Sequence, residues 1–180
     1  VNYINAEAGS GSQLIFMRFQ APTAGIWQIR VYSSLFITGE YHMWLPPDTF
    51  ISENTLFLRS NPDTTVTDPA NAPLPITAGA YDHISGGIYL NSGRGFSRSG
   101  KIKPELAAPG VGIMTRAAGG TVTAVTGTSF ATPFVTGGAA LLMEWGIIKE
   151  NDPYLYGEKI KAYLRRGARQ LPGFAAYPNN

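Results

Sequence analysis

Along the first 70 residues, apolar and polar side chains tend to alternate. In Gly25–Tyr32, Trp27, Ile29 and Val31 fall on one side and Gln28 and Arg30 on the other. A period of two predicts a half-buried antiparallel strand, and Pro22-Thr23-Ala24-Gly25 in front of it is turn chemistry. Leu14–Phe19 reads as a strand that is largely apolar on both faces. Tyr41–Leu45 reads as a third strand, ended by Pro46-Pro47, and Thr55–Leu58 as a shorter fourth. Short strands at regular turns predict a β-sandwich or jelly roll over residues 1–72. Ser60 to Pro75, rich in Asn, Pro, Asp and Thr, reads as the connection between the two halves of the chain.

From residue 73 the pattern changes, and short apolar strands precede helices. Leu74–Tyr81 is one such strand. Thr121–Val125, β-branched and placed after Gly119-Gly120, is another. Pro133–Trp145 is apolar almost all round, which predicts a central, buried helix. Pro133 suits its first turn and Gly146 its end. Gly137, Gly138, Ala139 and Ala140 imply close approach of another element. A second helix is expected after Asn151-Asp152-Pro153, with Asp152 as N-cap and Pro153 at its first position. Its apolar face would hold Tyr156, Ile160, Tyr163 and Leu164, with Gly167 at the end. Lys159, Lys161, Arg165, Arg166 and Arg169 would form a solvated basic face, favoured near a helix C-terminus. Residues 73–180 thus read as an α/β part and residues 1–72 as a β-domain.

Composition narrows the chemistry. Of 180 residues, 44% are hydrophobic and 14% charged, enough for a core. The net charge of +2 gives no case for nucleic acid or a membrane surface. No run of 18 apolar residues is present, so no membrane span is expected. The absence of cysteine excludes disulfides and thiol nucleophiles. Asp48, Asp63, Asp68 and Asp82 are scattered and form no calcium-loop pattern, so no metal site is visible in the sequence, a site built by the fold stays open, and no cofactor is expected. The start, Val1-Asn2-Tyr3, has no initiator Met and no signal peptide. The chain is therefore expected to be a piece of something longer.

The chemistry concentrates in Gly127-Thr128-Ser129-Phe130-Ala131-Thr132-Pro133. Ser129 lies between a glycine turn and a helix start, where unpaired N–H groups favour negative charge. Those donors suit an oxyanion formed when a hydroxyl attacks an acyl group. A plain helix cap is the alternative for the same residues. A serine nucleophile also needs a base, normally a histidine held by a carboxylate. The two histidines, His42 and His83, lie in the predicted β-domain and directly after Asp82. Neighbouring strand residues point to opposite faces, so Asp82 is not expected to orient His83.

Three segments, in order, resemble the C-terminal portion of the subtilisin-like serine proteases, the subtilases. They are Ile76–Asp82, then Phe96–Gly100 running through Lys103-Pro104-Glu105-Leu106-Ala107-Ala108-Pro109-Gly110-Val111, then Gly127–Pro133. The small-residue helix follows them. Pro22–Trp27, Trp44-Leu45-Pro46, Thr65–Ala70 and Ser92-Gly93-Arg94-Gly95 resemble the subgroup of Csp-type subtilases from spore-forming bacteria, which carries a jelly-roll insert.

The resemblance implies a subtilisin-like α/β C-terminal portion, with parallel-sheet strands and a buried nucleophile helix, preceded by a jelly-roll domain. It implies Ser129 as nucleophile and contributor of its own N–H to the oxyanion hole. Thr128 would assist there, and Gly127 would lie near the substrate side-chain pocket. In the family's order the triad Asp and His precede the Ser, so they are expected upstream of Val1, and the chain alone is expected to be inactive. The implied partners are a protein or peptide substrate and the N-terminal part of the same protease. Lacking that part, the helix would find cover by dimerisation or strand exchange. A secreted or spore-associated location follows from the resemblance alone. A catalytically dead scaffold or signalling module is the alternative, and so is carbohydrate stacking on Trp27, Tyr32, Tyr41 and Trp44 in place of core filling.

Overall fold

The computed structural model describes residues 2–4, 14–32, 41–46, 48–97 and 100–171. Two compact units divide at residue 41: 1–41 and 42–180. In the first unit, β1 (Asn2–Ile4) pairs antiparallel with β2 (Leu14–Phe16), Tyr3 opposite Ile15. The predicted strand Gly25–Tyr32 is not formed. Trp27, Ile29 and Val31 are all more than two-fifths exposed. An alternating segment becomes a strand by covering its apolar face, and among the described residues nothing covers this one. Trp27 is satisfied locally instead. Its Nε1–H donates to the Thr23 carbonyl at 2.9 Å, and its ring meets Phe19 edge-on at 5.3 Å. Exposure of Trp27, Tyr32, Tyr41 and Trp44 likewise departs from core filling.

Around the start of the second unit, Tyr41–Leu45 and Thr55–Leu58 also carry no sheet pairing among the described residues. Pro47, the far end of the first of these, lies outside the described residues, as do Arg98 and Ser99 of the Phe96–Gly100 segment.

The core of this unit is a parallel pair, β3 (Ala78–Tyr81) and β4 (Leu106–Pro109), in the register Ala78–Leu106 to Tyr81–Pro109. Parallel strands bury both faces, and small residues let covering elements approach closely. Ala80, Ala108 and Ala131 form the buried cluster, with Tyr89 and Val135 packed on it. The other edge of β3 is closed by a turn. Ser92 Oγ accepts from Ala80 N–H at 3.0 Å, and Tyr89 N–H donates to the Ala80 carbonyl at 2.9 Å. A hairpin comes next, β5 (Ile113–Arg116) and β6 (Val122–Val125), antiparallel and mostly exposed.

The long helix α1 (Thr128–Met143) begins five residues before Pro133, so that proline lies in the second turn and not the first. Gly146 does not end the helix either. A π-turn, Glu144–Ile148, extends it, and Lys149 N–H reaches back to the Glu144 carbonyl at 3.0 Å. The merged stretch Thr128–Ile148 has 21 residues and is long and apolar enough, by length and composition, to cross a membrane. Core helices that pack on a sheet meet the same criterion, and this one packs on β3 and β4. The burial expected for it is also confined. Ala131 is enclosed against the strands, whereas Phe134, Leu141 and Met143 are 45–68% exposed.

Helix α2 (Gly157–Gly167) starts after Tyr156, which offers no side-chain cap. Asp152 is therefore not its N-cap. Its carboxylate instead accepts from Lys159 Nζ at 2.9 Å and from Tyr163 Oη at 3.2 Å. The hydrogen bond and charge of Lys159 hold the Asp152 carboxyl below its ordinary value, and Asp152 in turn raises the Lys159 ammonium. Ile160 is the buried residue of the predicted apolar face.

A buried ion network ties the start of the parallel pair to α2. Glu105 Oε1 pairs with Lys103 Nζ at 2.7 Å and with Lys161 Nζ, while Glu105 Oε2 accepts from Thr77 N–H at 2.8 Å. The remaining donors are used too. Lys103 Nζ reaches the Pro75 carbonyl at 2.9 Å, and Lys161 Nζ the Pro73 carbonyl at 2.9 Å. Two of the three charged side chains are almost fully enclosed, Lys103 at 2% and Glu105 at 4% exposure. Burial raises the Glu105 carboxyl, but the hydrogen bonds from Lys103, Lys161 and Thr77 N–H outweigh it and leave it below its ordinary value. Lys161 thus belongs to this network and not to a solvated face.

Candidate active site

Ser129 is exposed and is the second residue of α1, directly after the Gly127 turn. Gly127 has φ 156° and ψ 161°, a region essentially reserved for glycine. A side chain there would be strained, so glycine is what lets the chain turn sharply from β6 into α1. The turn is fixed from below. Gly127 N–H donates to the Gly110 carbonyl at 2.8 Å, and Gly110 N–H donates to the Tyr81 carbonyl at 3.0 Å. The turn that carries Ser129 therefore hangs from the C-terminal ends of β3 and β4. Thr126 Oγ1 accepts from Gly112 N–H at 3.0 Å and closes the base of the hairpin.

The helix start has the predicted electrostatics. No side chain caps it, and no acidic residue lies in its first turn. First-turn N–H groups have no helical partner four residues back, and Ser129 is among them. Phe130 N–H is taken by the Gly127 carbonyl at 3.0 Å. Pro133 adds a second effect. It has no N–H to give to the Ser129 carbonyl four residues earlier. Both backbone groups of Ser129 thus lack helical partners. Thr132 Oγ1 donates to the Thr128 carbonyl at 3.0 Å, and Thr136 Oγ1 to the Thr132 carbonyl at 3.1 Å. Ser129 is not a side-chain cap for this helix; Gly127 occupies that position.

The histidines do other things. His42 stacks on Trp44 with ring centroids 5.6 Å apart, and Trp44 Nε1–H donates to the Thr64 carbonyl at 3.1 Å. His83 is exposed in the turn after β3. Asp82 does not orient it. The Asp82 carboxylate accepts from Ser85 Oγ at 2.7 Å and Ile84 N–H at 2.9 Å, bonds that lower its pKa. No group of three or more His, Asp or Glu suited to hold a metal ion occurs among the described residues. Sequence reasoning missed Gly110 as the anchor of the turn. Its signal was the Pro109-Gly110 pair at the end of a small-residue strand.

The profile of the subtilase family matches residues 51–179. A subtilisin of Bacillus pumilus is 39% identical over 84 residues, 47% of this chain and 28% of its own length. A C5a peptidase of Streptococcus pyogenes is 35% identical over 100 residues, 54% of this chain and 8% of its own length. The match therefore spans less than a third of either relative's length. Among solved structures, the CspB protease of Clostridium perfringens matches 71% of this chain and 28% of its own, at 42% identity and a TM-score of 0.66. The self-cleaved protease domain of PatA matches 61% of this chain and 39% of its own, at 30% identity and a TM-score of 0.50.

Proposed function

The chain belongs to the subtilase family, and from that premise we propose that it carries the nucleophile of a serine endopeptidase, Ser129. The observation that carries this reading is the exposed serine on the second position of α1, held by the Gly127–Gly110 bond beneath unpaired helix-start donors. In the intact enzyme Ser129 Oγ attacks a peptide carbonyl carbon, and its proton passes to a histidine base. The resulting oxyanion is met by the N–H of Ser129, with Thr128 assisting. Collapse of the intermediate expels the amine, which takes up that proton. Water then hydrolyses the acyl-enzyme and regenerates the serine. Gly127 lies beside the substrate side chain.

His42 is engaged with Trp44 and Asp82 with its own turn. The base and its orienting carboxylate accordingly come from sequence outside this chain, and the isolated chain is inactive. Residues 1–72 belong to a β-rich insert of the jelly-roll type. The β1–β2 pair and the resemblance of Pro22–Trp27, Trp44-Leu45-Pro46 and Thr65–Ala70 to the insert-bearing subgroup support that assignment.

The test is labelling with a fluorophosphonate probe. The intact gene product is expected to take up one probe per molecule at Ser129. Ser129→Ala is expected to take up none, and residues 1–180 alone none. Labelling of the isolated chain, or its persistence in Ser129→Ala, would remove the proposal.

A further inference from the structure

We propose that Gly110 is a positioning residue for Ser129, the contact through which the buried parallel strands set the height of the nucleophile turn. This rests on Ser129 being the nucleophile. Gly110 is buried and lies immediately after β4. Its two backbone groups form a relay: the N–H binds the end of β3 at Tyr81, and the carbonyl receives Gly127 N–H. No side chain intervenes between the core and the turn.

The surrounding space explains why. A Cβ added at Gly110 would lie 2.6 Å from Ala80 Cβ, 2.9 Å from the Gly127 carbonyl oxygen and 3.3 Å from Ala131 Cβ. Ordinary contact begins near 3.4 Å. Two of these neighbours are core methyls on β3 and α1. The third is backbone of the nucleophile turn and has no side chain to rotate away. A methyl at Gly110 must therefore push the Gly127 peptide outward, and Ser129 follows two residues later. The angle at which a hydroxyl meets a carbonyl is sensitive to such shifts, and an error near 1 Å costs about 100-fold in rate. Because Gly127 lies beside the substrate side chain in the proposed site, the shift of the hydroxyl is read from the labelling rate of Ser129 and from kcat against stability.

The two kinds of contact can be separated. Ala80→Gly removes the 2.6 Å core clash and leaves the 2.9 Å clash with Gly127 untouched. In the intact protease, Gly110→Ala is expected to lower kcat and the rate of fluorophosphonate labelling by up to about 100-fold. The double variant Ala80→Gly/Gly110→Ala is expected to regain thermal stability over Gly110→Ala while kcat stays low. It also serves where Gly110→Ala alone fails to fold. Wild-type kcat in Gly110→Ala, or recovery of kcat together with stability in the double variant, would overturn the proposal and leave only a packing effect. If the wild-type protein is not labelled at all, the protease reading fails by itself. Crystal structures of the wild type and the double variant then decide the present inference. An outward shift of Gly127 and Ser129 sustains it, and an unmoved Ser129 ends it.

Discussion

Two strand pairs lead to the turn that carries Ser129, and they are built in opposite ways. β3 and β4 run parallel, carry Ala, Gly, Leu, Tyr and Pro, and enclose Ala80 and Ala108. β5 and β6 run antiparallel and leave Met114 and Val122 65% and 59% exposed. The hairpin is joined to Ser129 more directly in sequence, through Thr126 and Gly127. The parallel pair is joined to it through Gly110. Proximity along the chain is thus a poor guide to what positions the serine. The enclosed pair has small side chains and a fixed register, so its displacement is resisted from all sides. The hairpin touches solvent along most of its length and resists little.

The strongest way to break this contrast is to attack the frame at its polar end. Glu105→Gln leaves Lys103 and Lys161 without their shared carboxylate. A buried pair broken on one side costs about 3–5 kcal/mol, read by chemical denaturation at neutral pH. A cost near the ~0–1 kcal/mol of an exposed pair would make the network ordinary surface chemistry and erase the difference between the two strand pairs.

The same variant gives a pH test. The folded Glu105 carboxyl lies below its ordinary value of 4.5. A depressed carboxyl stabilises the fold above the unfolded value and loses that contribution as pH falls through the folded value. The gap between wild type and Glu105→Gln should hold steady above about pH 4.5 and narrow below it. A gap that widens on acidification would contradict the assignment.

A smaller effect is expected at the far end of the long helix. Gly146 is buried, and a Cβ there would lie 2.7 Å from Leu155 Cδ2 and 3.2 Å from the Asp152 carbonyl. Gly146→Ala should cost about 1–3 kcal/mol by overpacking, visible as a lowered thermal midpoint. A neutral result would place the end of the frame before Gly146. The smallest effect belongs to the hairpin. Met114→Thr and Val122→Thr should each stay within about 0.5 kcal/mol in the same denaturation experiment. A loss as large as that of Gly146→Ala would show the hairpin to be part of the frame.

Much of the second half was legible because its signals are local. The β-branched Thr121–Val125 run, the apolar helix and the Gly127–Pro133 motif each report on neighbours in the chain. The helix start was misplaced because Pro133 satisfies the rule for a first turn. Here it instead leaves the Ser129 carbonyl without its helical partner. Asp152 also fits a cap rule, but Lys159 and Tyr163 compete for its carboxylate once the chain folds back. Lys103 was illegible for a different reason. Lysine is almost never enclosed without partners, and its partners come from Glu105, Pro75 and Thr77. Only the parallel register brings them together. In the first half, alternation reported what Trp27, Ile29 and Val31 would do given a covering sheet, and alternation alone cannot supply one.

The tip of the β5–β6 hairpin has a practical meaning. Gly119 and Gly120 are exposed at φ 91° and 85°, and a Cβ at either would meet open space. The turn is closed beneath them by Ala117 N–H on the Thr121 carbonyl at 2.8 Å, and the base by Gly112 and Thr126. Exposed tips of this kind are where chains accept extra length. A reporter peptide or fluorophore-bearing loop grafted between Gly119 and Gly120 would ride on a self-contained ribbon whose other end leads into the Gly127 turn and Ser129. The molecule thereby offers a place for a label without rebuilding anything that holds Ser129 in place.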